Sequence, residues 1–286
     1  MTSTLHIVGS GSFIAKNVLQ NFQNNESINL ISRQDIDLTD PKSQDLLRSQ
    51  INSEDDVMFF SGKVPCKNVE DYTQNIAMAK NLVTALSGIP LNFFGYVSSD
   101  AVYDDSSFRI NESFPTTSNS LHGLMHLSRE LIFRHELNVN RFLCVRPTLI
   151  YGRDDPHNGY GPNRFIRQIR SQNFIEVVGD GEELRDHIYV GDVANLFYML
   201  YVGGNSGFFN LCTGKESSFR SLANETLRIS ESAKLVNLVR FGPIPHNGYR
   251  ALDNSALLTV FPDYKFLKYS DFVDRMIKES GLTNGY

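Results

Sequence analysis

Five short apolar runs, separated by stretches of helical periodicity, constrain this chain more than any other feature. LHIVG (5–9), INLIS (28–32), VMFF (57–60), NFFGYVSS (92–99) and RFLCVRP (141–147) are rich in Val, Ile, Leu and Phe. Such runs read as strands buried on both faces, as in parallel sheets. Amphipathic stretches lie between them near 13–22, 41–50, 71–87 and 122–138, and in the last Leu124, Leu127, Leu131 and Phe133 mark an apolar face. This alternation predicts an α/β fold with a doubly wound parallel sheet.

From about Asp154 the texture changes. RDDPHNGYGPN reads as a long loop, followed by a helix (163–172), a strand (174–178), a helix (191–202), a strand (207–211) and helical segments. The second half is therefore expected to form a smaller lid at the carboxyl edge of the sheet, with one or two elements returning to it. A formal charge of -5 and the lack of a long basic run argue against a nucleic-acid partner. No stretch approaches the ~18 apolar residues of a membrane span. Nor does the start, with its strand-like run from Leu5, show a signal peptide. Cys66, Cys144 and Cys212 are odd in number and lack CxxC spacing, so they read as buried thiols in a cytoplasmic protein.

GSGSFIA (9–15) follows the first strand and opens a helix. A Gly-rich turn there presents backbone N–H groups and a helix N-terminus to a pyrophosphate. Gly9 permits the tight turn and Gly11 a close approach, while Ser12 adds a Cβ and a hydroxyl that could donate to phosphate. The second strand ends Ile31-Ser32-Arg33, where NAD-preferring folds usually carry an acid for the ribose 2′-hydroxyl. A serine and an arginine suit a 2′-phosphate, which favours NADP and leaves NAD open. The bland alternatives are a structural turn and a solvated loop charge.

With these blocks the chain resembles the extended short-chain dehydrogenase/reductase family: NAD(P)-dependent nucleotide-sugar epimerases, dehydratases and ketoreductases. DLTD (37–40), Asn75, SSDAVY (98–103), VRPTLIYG (145–152), GPNRFI (161–166), GDGEELRDHIYVGDVA (179–194) and GFFNLCTGK (207–215) follow in the family's order, nearly end to end. The resemblance implies a Rossmann-type domain at 1–153 and 187–213. It implies a smaller nucleotide-sugar-binding region at 154–186 and 214–286. Cofactor contacts are implied at Gly9, Gly11, Ser12, Phe13 and Ile14, at Arg33, at Asp37 and Leu38 around the adenine, and at Pro147. Ser99 falls where the family's catalytic Ser or Thr binds the reacting oxygen. Asp100 would be a substrate contact or a capping residue, and the missing acid at Ala101 disfavours dehydration. Asn163, Arg185 and Arg250 resemble the residues that hold the diphosphate and nucleoside, Asp186 a loop-structuring acid. Leu149 stands where many nucleotide-sugar enzymes have an asparagine.

One departure is sharp. In SNSLHGLMHLSRE (118–130), Gly123 and Glu130 fit the family, yet its Tyr-x-x-x-Lys pair is replaced by His122 and His126. The tyrosine moves the proton; the lysine holds the nicotinamide ribose and lowers the tyrosine pKa. Three readings stand open. His122 could be the acid/base, since imidazole titrates near ~6.5, with His126 a neutral ribose donor. The site could be degenerate, binding nucleotide without turnover. Last, His122, His126 and Glu130, at i, i+4 and i+8, could chelate a metal, although the family pattern already accounts for Glu130 and no metal is expected. The expected protein is a cytoplasmic, homodimeric nucleotide-sugar epimerase or 4-keto-sugar reductase using NADP or NAD. The alternative is a non-catalytic dinucleotide-binding regulator or scaffold.

Overall fold

The computed structural model describes residues 3–22, 27–157, 161–172, 174–230 and 234–279. Residues 158–160 of the expected loop and 280–286 of the C-terminal region lie outside them. In chain order the elements begin β1 (Leu5–Val8), α1 (Phe13–Val18), β2 (Ile28–Ile31), α2 (Ser43–Arg48), β3 (Asp56–Phe59), α3 (Val69–Ala85), β4 (Leu91–Val97), α4 (Leu121–Glu136) and β5 (Val139–Pro147). They continue with β6 (Leu149–Tyr151), α5 (Pro162–Gln172), β7 (Phe174–Val178), β8 (Leu184–Tyr189), α6 (Val190–Val202) and β9 (Gly207–Leu211). The chain then forms β10 (Glu216–Ser218), α7 (Phe219–Ser230), β11 (Lys234–Leu238), β12 (Tyr249–Arg250), α8 (Ser255–Val260) and α9 (Tyr269–Glu279).

These elements form two compact units. The first comprises residues 1–104, 112–147 and 193–211, the second 105–111, 148–192 and 212–286. The first is built on a six-stranded sheet in the order β2-β1-β3-β4-β5-β9, parallel throughout. β1, β3 and the end of β4 are buried along their length, which is why they read as unbroken apolar runs rather than alternating ones. The chain leaves β1 for β2 on one side, then crosses to β3 on the other. The switch point of the Rossmann-type sheet therefore lies between the carboxyl ends of β1 and β3, where such folds open a ligand crevice. His6, inside β1, is a satisfied core histidine between Asp55 (3.0 Å) and Asn29 (3.1 Å).

In the second unit β8 pairs with β6 and β12 in parallel and with β10 antiparallel. A separate pair, β7 and β11, packs Ile175 and Val177 against α5 and α7 through Phe165, Ile169, Leu222 and Ala223. β8 was not among the expected strands: it lies inside the RDHIYV motif, where charge masks the apolar alternation.

The expected face of α4 is corrected. Leu124 and Leu131 are 42% and 47% exposed, Leu127 is half-buried, and only Phe133 of that set is buried. The buried face instead carries Gly123, Met125, His126, Arg129, Glu130 and Phe133. Polar groups can occupy it because partners satisfy them. Glu130 accepts both arms of Arg146 (3.0 and 2.6 Å) and the Ser98 hydroxyl (2.5 Å).

Candidate active site

The carboxyl ends of β1, β3, β4 and β5 stand side by side, so the residues that follow them line up in one row: Gly9, Ser61, Ser99 and, closing β5, Pro147. Gly9 has φ +87°, and a Cβ there would lie 2.5 Å from the Ser61 amide nitrogen, so only glycine lets the first turn meet the loop after β3. Gly11 has no such internal reason: a Cβ would meet no protein atom within 4 Å. The open space beside it fits the backbone approach that a dinucleotide requires. Ser12 caps α1, its hydroxyl accepting from the Ala15 amide (3.2 Å), while Phe13 and Ile14 are half-buried in the first turn.

At the end of β2, Arg33 is 77% exposed on its side chain and pairs with Asp37 at 3.2 Å. The other Asp37 oxygen accepts the Thr39 amide and hydroxyl, bonds that hold its carboxyl below the usual range. Leu38 points into the core, and its carbonyl accepts from Asn81 (2.8 Å). Asn75 is fully buried and clamps Lys63, accepting its amide (3.0 Å) and donating to its carbonyl (2.9 Å). It fixes the loop that bears Ser61.

Ser99 caps a 3-10 turn (Asp100–Val102), accepting the Ala101 amide at 3.1 Å and donating to Asp100 at 3.2 Å. The start of α4 is pressed onto this turn: a Cβ at Gly123 would come 1.9 Å from the Ala101 carbonyl oxygen. That contact brings the start of α4, which carries His122, against the turn that Ser99 caps. The His122 and His126 rings are edge to face, 4.8 Å between centroids. His122 Nδ1 accepts the Cys66 backbone amide at 3.3 Å. His126 is buried, with Nδ1 2.8 Å from the Tyr96 hydroxyl. Burial, then the His122 ring and the Arg129 charge, holds its pKa well below that of an ordinary histidine. Glu130 is committed to Arg146 and Ser98, and His126 to Tyr96. Among the described residues no cluster of three His, Cys, Asp or Glu side chains is placed to hold a metal ion.

In the second unit, Arg185 on β8 and Arg250 on β12 are Cα partners and both buried. Arg185 pairs with Glu183 (2.9 Å) and Arg250 with Asp105 (3.0 Å). Asn163 uses its amide locally, accepting from Gly152 (3.1 Å) and donating to Asp155. Asp186 orders the 213–215 turn, accepting from Thr213, Gly214 and Lys215. His187 is buried against Phe219, neither ring nitrogen is hydrogen-bonded among the described residues, and burial pushes its pKa down to about 3.

Sequence reasoning missed Arg129. It is 1% exposed, stacks over Phe59 (4.8 Å) and Tyr96 (5.7 Å), and donates to the Ser61 carbonyl at 2.6 Å. The available signal was its spacing, three residues after His126 and one before Glu130, on the helix face that carries the family motif.

The sequence profile of the NAD dependent epimerase/dehydratase family matches residues 6–212. An ADP-L-glycero-D-manno-heptose-6-epimerase of Fusobacterium nucleatum is 38% identical over 155 residues, 46% of each chain. The chain thus spans about half the length of the curated relatives it matches. Among solved structures, RMD from Pseudomonas aeruginosa, complexed with NADPH, superposes with a TM-score of 0.81 at 19% identity, covering 98% of this chain and 99% of that one. The Thermus thermophilus UDP-glucose 4-epimerase, in complex with NAD, gives a TM-score of 0.81 at 17% identity, covering 97% and 99%. At such identities the superpositions establish the fold.

Proposed function

Because this chain belongs to the NAD dependent epimerase/dehydratase family, we propose that it binds a nicotinamide dinucleotide at the β1/β3 switch point and acts on a nucleotide-activated sugar, as an epimerase or 4-keto-sugar reductase. One observation carries the reading: the Gly9 turn is built against Ser61 while the space beside Gly11 is left open. Gly9, Gly11, Ser12, Phe13 and Ile14 would hold the pyrophosphate side, and Asp37 and Leu38 the adenine. Ser99, His126 and Pro147 would flank the nicotinamide end. NADP is favoured over NAD because the exposed pair that Arg33 makes with Asp37 is weak enough to be exchanged for a 2′-phosphate. The bound nicotinamide would supply or accept the hydride at a sugar carbon.

Ser99 and His122 occupy the proton-transfer positions. The Cys66 amide donating to Nδ1 leaves the proton of a neutral His122 ring on Nε2, so the ring offers a donor to a substrate oxygen. That polarity suits a carbonyl awaiting hydride better than a hydroxyl losing its proton. Asn163, Arg185, Arg250 and Asp100 would serve the nucleotide sugar, the two arginines its diphosphate. The regions 1–153 with 187–213, and 154–186 with 214–286, divide these two tasks. We further assign a homodimer through α3 and α4, and, from three buried cysteines that form no disulfide with one another, a cytoplasmic location.

The same Cys66 contact favours a second reading, a non-catalytic nucleotide-binding regulator or scaffold, since an Nε2 that already carries hydrogen cannot take a proton. Thermal-shift titration with NADP, NAD and a panel of nucleotide sugars tests binding. The expected result is a dinucleotide-dependent rise in Tm, larger for NADP, with the NADP preference reduced about tenfold in Arg33→Ala. Single-turnover nicotinamide absorbance with a bound sugar then separates the readings. Turnover that His122→Ala lowers by about 10²–10⁴-fold supports the enzyme, and a flat trace the scaffold.

A further inference from the structure

Arg129 is a buried cation without a carboxylate. Its guanidinium is enclosed by Phe59, Tyr96, Met125 and the loop after β3, and among the described residues no acid forms an ion pair with it. Glu130, its neighbour in the chain, is committed to Arg146 at 2.6 Å, and Asp71 on the facing helix to Lys63 at 2.9 Å. Its hydrogen bonds among the described residues go to neutral groups, the Ser61 carbonyl, the Tyr96 side chain and the Met125 sulfur, and Nε has no partner there. Isolated buried charges are costly, and proteins keep them where a partner or ligand supplies the balance.

The placement points to that ligand. Ser61 is the residue against which Gly9 turns, 2.5 Å from a Cβ built on Gly9. Arg129 bonds the carbonyl of the same Ser61, and a Cβ on the next residue, Gly62, would lie 3.2 Å from its Nη1. The guanidinium thus sits directly behind the peptide wall of the switch-point crevice. Meanwhile His126, at the family's lysine position, supplies no fixed charge, because burial and its neighbours keep it neutral. We propose that Arg129 is the fixed cation of the nucleotide site, a positioning residue whose charge is balanced when an anionic dinucleotide occupies the Gly9 turn. It acts through the Ser61–Gly62 wall rather than by touching the phosphates. In a low-dielectric interior a charge held one peptide away is screened far less than a surface one.

This proposal rests on the dinucleotide reading, and its test is arranged so that the two can fail separately. Arg129→Met removes the charge and retains an unbranched apolar stem; Arg129→Gln also keeps a donor for Ser61. Tm without ligand and Kd for NADP, NAD and uncharged adenosine are measured for each protein. The expected result is a ligand-free Tm equal to or above that of the parent. Dinucleotide Kd should weaken tenfold or more in both variants, with adenosine binding changed less than threefold. Variants that bind dinucleotide within threefold of the parent overturn the proposal alone. So does loss of fold in both, because a cation lacking a counterion should not be needed by the ligand-free chain. A parent that binds no dinucleotide overturns the cofactor reading and the proposal together.

Discussion

At the residue scale, histidines that look alike in the sequence are separated by what surrounds them. His122 is half-buried and takes a backbone amide; His126 is buried behind it on Tyr96; His187 is sealed in the second unit with both nitrogens unsatisfied among the described residues. The last two have pKa values depressed by burial, His187 to about 3. In the unfolded chain both titrate near ~6.5. Below that pH the unfolded state binds protons that the folded state refuses, so stability is complete above about 6.5 and is lost as the pH falls toward the folded value. His187→Phe removes one such group and fills the same space beside Phe219. It should gain about 1–2 kcal/mol at pH 5 relative to its effect at pH 8, read from urea unfolding at both values. An equal effect at the two pH values would show that His187 titrates normally. The sequence placed the turn residues, Ser99 and the histidine pair on their elements. It carried no sign of protonation state, which depends on burial and on atoms such as the Cys66 amide that no side-chain pattern encodes.

At the element scale, α4 shows why the periodicity of apolar residues misled. Three leucines at helical spacing look like a core stripe, yet the core accepted the stripe bearing His126, Arg129 and Glu130. What decided the orientation was long-range pairing: Arg146, from β5, and Ser98, after β4, complete the Glu130 carboxylate. Such pairing is invisible to a local window, whereas the buried strands β1, β3, β4 and β5 were legible because their signal is purely local. Breaking the pair by Glu130→Ala leaves Arg146 buried without its acid and should cost about 3–5 kcal/mol. Gly123→Ala should also destabilise, through its overlap with the Ala101 carbonyl, and should displace the His122 turn from Ser99. Denaturant melts of both variants read the cost. A loss under 1 kcal/mol for Glu130→Ala would mean that the ion pair does not hold α4 in this orientation.

At the scale of the whole molecule, the outward stripe of α4 acquires a meaning that the sequence expectation had inverted. Leu121, Leu124 and Leu131 on α4 and Val69 on α3 are exposed, and α3 and α4 pack against each other in the first unit. Tyr72 on α3 reaches Ser128 on α4 (3.1 Å), so the two helices present one continuous surface. Exposed apolar side chains gathered on two packed helices point to an interaction surface. A two-fold axis through the pair would bury them against their own copies, making a bundle of four helices, and the polar rim would supply Glu70, Lys80 and Arg134. The proposed homodimer therefore has a defined seam, and charge placed on it should divide the dimer without touching the nucleotide crevice. Leu124→Glu with Leu131→Glu puts like charges on both sides of the axis. Sedimentation at micromolar concentration should show a dimer for the parent and a monomer for the double variant, with ligand-free Tm lowered and concentration-independent. A parent that sediments as a monomer would end the assignment. A double variant that remains dimeric would move the interface to another face.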